Sequence, residues 1–120
     1  MLDAAIEAAR AGARAVREHP GWRVDFKGAV DLVTEVDVAC EEAVRRALER
    51  ATPGVPVLAE ESGGAWEADT RWVVDPLDGT VNFVHGFPCY CLAIAFEEAG
   101  RVTAGVTYDL VHDRLYRASR

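Results

Sequence analysis

Two apolar runs in this 120-residue chain each end in carboxylates. Val55–Ala59 leads into Glu60-Glu61-Ser62, and Arg71–Val74 leads into Asp75-Pro76-Leu77-Asp78-Gly79-Thr80. Asp37 adds a third acidic position. Acids at strand ends sit where a sheet presents its loops, and sites are commonly built there. Carboxylates gathered without a cation repel, and some are forced to take protons. A hard divalent cation removes that cost. Magnesium suits the pattern, because it takes oxygen ligands, keeps several waters and is often shared with a substrate phosphate. His19, His85 and His112 are scattered and form no zinc-type cluster with cysteine. The Asp75–Thr80 segment reads as a loop: Pro76 sets a turn, Gly79 permits close backbone approach, and a helix capped by Thr80 would aim amide N–H groups at one anion. Metal ligands and an anion site on one loop suggest a phosphate ester held against metal. The plain alternatives are turn chemistry at Asp75–Gly79, a solvated Glu60-Glu61 loop and a helix cap at Thr34–Asp37.

The elements that must carry these residues follow from periodicity. Leu2, Ile6, Ala9, Ala13 and Val16 recur at helical spacing, which predicts a helix from Leu2 to about Glu18, ended by His19-Pro20-Gly21. Trp22–Phe26 alternates like a short strand, with Lys27-Gly28 as a turn. A second helix is expected to start near Thr34, with Thr34 as cap and Asp37 in a capping-box position. Its stripe would be Val36, Cys40, Ala43, Ala47 and Ala51, closed by Thr52-Pro53-Gly54. The rest is strand-like: Val55–Ala59, Arg71–Val74, a short helix at Thr80–His85, a hairpin of Tyr90–Phe96 and Val102–Tyr108 around Glu98–Gly100, and an edge strand at Leu115–Arg117. Two helices followed by a mostly antiparallel sheet is an α+β pattern in a single domain over residues 1–120.

Composition narrows the function classes. Thirteen basic against twenty acidic residues give a net charge of −7, which disfavours nucleic-acid and anionic-membrane partners. No apolar run is long enough to span a bilayer. Acids stand near the N-terminus where a signal peptide would carry lysines. Three cysteines, Cys40, Cys89 and Cys91, are an odd number and fit reduced thiols in the cytoplasm. Cys89 and Cys91 at period two are expected on one strand face as core packing.

Four blocks in order resemble the inositol monophosphatase family of magnesium-dependent phosphatases. They are Asp31-Leu-Val-Thr-Glu-Val-Asp37, Glu60-Glu61-Ser62, Trp72-Val-Val-Asp-Pro-Leu-Asp-Gly-Thr80 and Asn82-Phe-Val-His-Gly-Phe-Pro88. The resemblance covers the N-terminal portion of such enzymes, whose layered sugar-phosphatase fold is shared with fructose bisphosphatases. It implies that Glu61, Asp75 and the Leu77 carbonyl hold a first magnesium, that Asp75 bridges to a second ion bound by Asp78, and that Asp37 helps place a third ion or its water. Glu61 and Thr80 would orient the attacking water. Leu77, Asp78, Gly79 and Thr80 would hold the phosphate, with Lys27 nearby. Glu60 matches the acid beside the ligand. The implied reaction is hydrolysis of a small phosphorylated polyol or sugar, with inositol 1-phosphate leading, in a homo-oligomer. The family's second half supplies a Trp-Asp motif that completes the second metal site. Here Trp22, Trp66 and Trp72 precede Arg, Glu and Val. A magnesium-retaining fragment without turnover is therefore the main rival reading. A haloacid-dehalogenase-type phosphatase is a weaker one, since it places one residue, not two, between its aspartates.

Overall fold

Small residues shape the helical layer. The structure, a computed structural model, describes residues 1–20, 29–60, 62–64 and 66–120. Helix α1 (Leu2–Glu18) buries Ala5, Ile6, Ala8, Ala9, Gly12, Ala13 and Val16, a wider band than one apolar stripe. It packs both on α2 (Ala29–Ala51) and on the central strands, so it needs two buried sides. Gly12 marks the closest approach: a Cβ there would lie 2.7 Å from Val44 Cγ2 and 2.8 Å from Leu92 Cδ2.

Helix α2 begins five residues before the expected Thr34, so Thr34 is an interior residue and not its cap. The apolar spacing runs back from Cys40 and Val36 through Val33 to Ala29, and that longer stripe outweighs the capping signal. The buried face also differs from the expected one. It carries Val36, Asp37, Cys40, Glu41, Val44, Ala47 and Leu48, whereas Ala51 is exposed. Two of those seven are acids, so a stripe drawn through apolar residues alone comes out rotated about the helix axis. The strand and turn expected at Trp22–Gly28 lie outside the described residues.

Five strands follow in sheet order β1 (Val57–Ala59), β2 (Thr70–Asp78), β3 (Cys91–Glu98), β4 (Arg101–Asp109) and β5 (Arg114–Ser119). β1 pairs parallel with β2, and every later pair is antiparallel. The five-residue helix α3 (Thr80–Val84) joins β2 to β3. Both long helices lie on one face of the sheet. There Trp72, fully buried, packs 4.8 Å from Phe96 and donates its Nε1–H to Thr52 Oγ1 at 2.9 Å. Arg17 reaches from α1 to Asp113 at 2.6 Å, and the Tyr108 hydroxyl donates to the same carboxylate, tying the helix to the β4–β5 turn. The opposite face is a shallow groove of small side chains, among them Val73, Ala93, Ala95, Gly105 and Ala118. Across it the half-buried Arg71–Glu97 ion pair spans β2 and β3 at 2.9 Å.

Gly12→Ala tests the helix seam. Alanine gains about 1 kcal/mol of helix propensity, but overpacking costs about 1–3 kcal/mol. The expected outcome is a net loss of stability in urea unfolding. A stabilised variant would show that the seam has room to spare.

Candidate metal centre

The Asp75–Thr80 segment is not the loop that its composition suggests. β2 continues through it to Asp78, and the register with β3 shifts on the way. Asp75 pairs with Ala93 and Asp78 with Cys91, so three steps along β2 match two along β3. One extra residue is thus inserted as a β-bulge. Its effect on the acids is direct. In a regular strand, residues three apart point to opposite faces. The inserted residue returns Asp78 to the face of Asp75, the one the helices leave uncovered. Pro76 and Leu77, buried on the helix side, form the bulge, and proline's missing N–H costs nothing where the ladder is interrupted.

Gly79 then turns the chain at φ 92°, and a Cβ there would lie 2.8 Å from the Cys89 carbonyl. No other residue fits both the conformation and the space. Gly79, not Thr80, is the N-cap of α3. The Thr80 hydroxyl instead donates to the Leu77 carbonyl at 3.0 Å, and Asn82 Nδ2 donates to the Cys89 carbonyl at 2.8 Å. The Leu77 carbonyl keeps a second lone pair.

Around this bulge the structure gathers Glu60, Asp75 and Asp78. Glu60 follows β1, and its N–H donates to the Val74 carbonyl at 3.3 Å, which brings it beside Asp75. Burial, the charges of Glu60 and Asp78, and a side-chain hydrogen bond with Glu60 raise the Asp75 carboxyl to about 6, although the Leu77 N–H at 3.2 Å pulls the other way. Asp37 and Cys40 lie behind β2 on α2. The buried Cys40 thiol donates to the Pro76 carbonyl at 3.4 Å and is pushed up to about 12 by burial and by Asp37, Glu41 and Asp75. Glu61 and Lys27, both expected at the site, lie outside the described residues.

Cys91 belongs to this neighbourhood and was not expected there. It opens β3 on the uncovered face with its Sγ 4.0 Å from Asp78 Oδ2, and burial followed by the nearby carboxylates raises it to about 11. A protonated thiol is not a ready metal ligand. Cys89 precedes the strand and is exposed, so the expected pairing of both thiols in the core fails. Its N–H donates to the Phe87 carbonyl at 2.8 Å and its carbonyl accepts from Asn82, so both backbone groups are engaged outside the ladder.

The donor set is carboxylate and carbonyl oxygen, which suits a hard divalent cation. Among the described residues no three His, Cys, Asp or Glu side chains already enclose an ion. Burial first, and then the charges of Glu60 and Asp78, disfavour an ionised Asp75, a cost that a cation would relieve.

The profile of the inositol monophosphatase family matches residues 1–120. The chain belongs to that family. Inositol-1-monophosphatase of Mesorhizobium japonicum is 40% identical over 122 residues, covering 100% of this chain and 46% of the relative. Nus factor SuhB of Pseudomonas aeruginosa is 41% identical over 128 residues, covering 100% and 47%. Among solved structures, CysQ from Bacteroides thetaiotaomicron, described as a bacterial member of the inositol monophosphatase family, superposes with a TM-score of 0.85. It is 31% identical and covers 99% of this chain and 45% of that one. The chain therefore spans about half the length of the relatives it matches. Its two long helices and bulged sheet are the N-terminal part of the inositol monophosphatase fold.

Asp75→Asn tests the electrostatic cost. The native state holds the Asp75 proton more tightly than the unfolded chain does. Stability from this group is therefore greatest below about pH 4 and is lost as pH rises through about 6. Asparagine removes that loss. The metal-free variant is expected to melt roughly 2–5 °C higher at pH 8, after discounting for solvent screening, with no difference at pH 4. A lower melting point at pH 8 would mean that Asp75 is already compensated within the chain.

Proposed function

We propose that this chain carries the magnesium-binding part of a phosphate monoester hydrolase, with inositol 1-phosphate as the leading substrate. The observation that supports this most is the bulge in β2, which turns Asp75 and Asp78 to one face beside Glu60 in a chain of this family. The residues present fit a hard cation. Asp75, Asp78, Glu61 and the Leu77 carbonyl would hold it, with Asp37 behind. A bound divalent ion would supply Lewis acidity, neutralising charge on the phosphoryl and leaving oxygens and lowering the pKa of water.

The chain's own residues do the rest. Gly79 has no side chain to obstruct the approach of a phosphate to the backbone after the bulge. Thr80, its hydroxyl committed to Leu77, has a lone pair left to accept from the attacking water, and Glu61 would share that task. Leu77, Asp78, Gly79 and Thr80 would form the phosphate cradle, with Lys27 adding positive charge. Asp78 also lines a hollow with Asn82, Asp109 and His112, next to where a polyol would project.

The partners follow from charge and surface. With a net charge of −7 the chain is a poor binder of nucleic acid or anionic membrane. No helix among the described residues is long and apolar enough to cross a bilayer. The free thiols, one exposed, favour a cytoplasmic setting. Self-association is favoured by the uncovered face of small residues on the sheet.

Calorimetric titration with magnesium, followed by phosphate release from inositol 1-phosphate, tests the reading. Binding with turnover is the expected outcome. Binding without turnover would reduce the proposal to a metal-holding half-site, and no binding would overturn it. Asp75→Asn is expected to weaken magnesium binding roughly tenfold, about 1.4 kcal/mol, and Asp37→Asn less. Equal effects would break that ranking of ligands.

A further inference from the structure

Glu41 lies one turn beyond Asp37 on α2 and is only 4% exposed, although it is ionisable. A buried carboxylate is costly unless it is paired and hydrogen-bonded. Its Oε1 accepts from Arg45 Nε at 2.9 Å and from the Ser62 hydroxyl, while Oε2 has no hydrogen-bond partner among the described residues. Arg45 extends the network. Its guanidinium donates to Ser62 Oγ at 2.5 Å, to the Gly63 carbonyl at 3.2 Å and to the Val57 carbonyl at 3.4 Å. One half-buried ion pair thus grips both the start of β1 and the far side of the turn that follows it.

That turn carries acid. Its base is closed by reciprocal bonds, Ala59 N–H to the Gly63 carbonyl at 3.1 Å and Gly63 N–H to the Ala59 carbonyl at 2.9 Å. Glu60 is tied to β2 at Val74. Repulsion among Glu60, Asp75 and Asp78 would drive such a turn outward, and backbone bonds at its base resist this only there. Among the described residues of the tip, Ser62 is held from behind, by Glu41 and Arg45.

We propose that Glu41, through Arg45 and Ser62, is a positioning residue that holds the acidic turn after β1 at the distance from Asp75 that cation binding requires. This rests on the metal-site reading above. It assigns a task to a buried acid that would hold no ion itself. Arg45 is the rigid part of the device, because its planar fork serves several acceptors at fixed angles, which a lysine ammonium cannot do.

The test is magnesium affinity by calorimetry, with amide hydrogen exchange at Ala59 and Gly63 read on the same metal-free proteins. Ser62→Ala alters no charge and sits at an exposed position. It is expected to weaken magnesium binding about fivefold to tenfold and to speed exchange of both amides. Glu41→Ala should do the same, and the double variant should be no worse than the single ones, since both break one path. Glu41→Gln, which keeps an acceptor oxygen but no charge, is expected to restore affinity to within about threefold. If Glu41→Gln weakens binding as much as Glu41→Ala while Ser62→Ala has no effect, Glu41 acts by its field alone and the proposal is overturned. Faster exchange with unchanged affinity overturns it too, leaving a purely structural tie. If the unsubstituted chain binds no magnesium, the metal-site reading fails first and this inference falls with it.

Discussion

One extra residue in β2 decides what the sheet can do. Because Asp75 and Asp78 are three apart, a regular strand would aim one at solvent and bury the other under the helices. The bulge removes that conflict, and much of the surrounding structure serves to hold it. Pro76 and Leu77 are driven into the helix side, where Cys40 bonds the Pro76 carbonyl. Gly79 ends the strand at a point where only a bare backbone passes Cys89. Trp72 and Phe96, just before the irregular stretch, fix the register with an aromatic contact and an indole hydrogen bond. The site's geometry is therefore paid for in the core.

The two faces of the sheet divide stability from chemistry. The helix side buries Trp72, Val74, Leu92, Ile94 and Phe96 against α1 and α2, and its small helix residues allow close approach. The other side keeps a half-buried ion pair, a groove of mostly small residues and a set of acids brought close together. Such acids are a stability cost that a chain bears where binding needs it. Two further acids, Asp37 and Glu41, are buried on α2 behind the strand. On the proposed reading they make α2 part of the site's support as well as of the core.

Much of this was legible in the sequence, and the failures have physical causes. The α1 boundaries, the hairpin, the edge strand and the α+β order follow from periodicity and turn residues. The carboxylate-bearing segments were found because acids at the ends of apolar runs are conspicuous. The bulge was hidden, because Asp-Pro-Leu-Asp-Gly has the composition of a turn and only pairing with β3 makes it a strand. Periodicity alone misplaces the buried face of α2, because the acids Asp37 and Glu41 belong to it. Cys91 reads as packing in the sequence because its neighbour across the sheet, Asp78, depends on the same unseen register. The supporting role of Arg45 and Ser62 is a contact between residues 17 apart in sequence, and spacing does not report such contacts.

The bulge has a consequence for how this chain can vary. Strands usually tolerate exchange of side chains as long as the alternation is kept. Between Asp75 and Asp78, what matters is the count. Losing one residue there would restore a regular ladder, improve the backbone pairing and send Asp78 to the wrong side, so a change that looks favourable to the fold would dismantle the site. Nearer β2, beyond the turn that Arg45 holds, the connection carries the exposed Glu67 and the half-buried Asp69 and can change length without that penalty. Insertions and deletions in natural variants should therefore gather around Glu67 and Asp69 and spare the bulge.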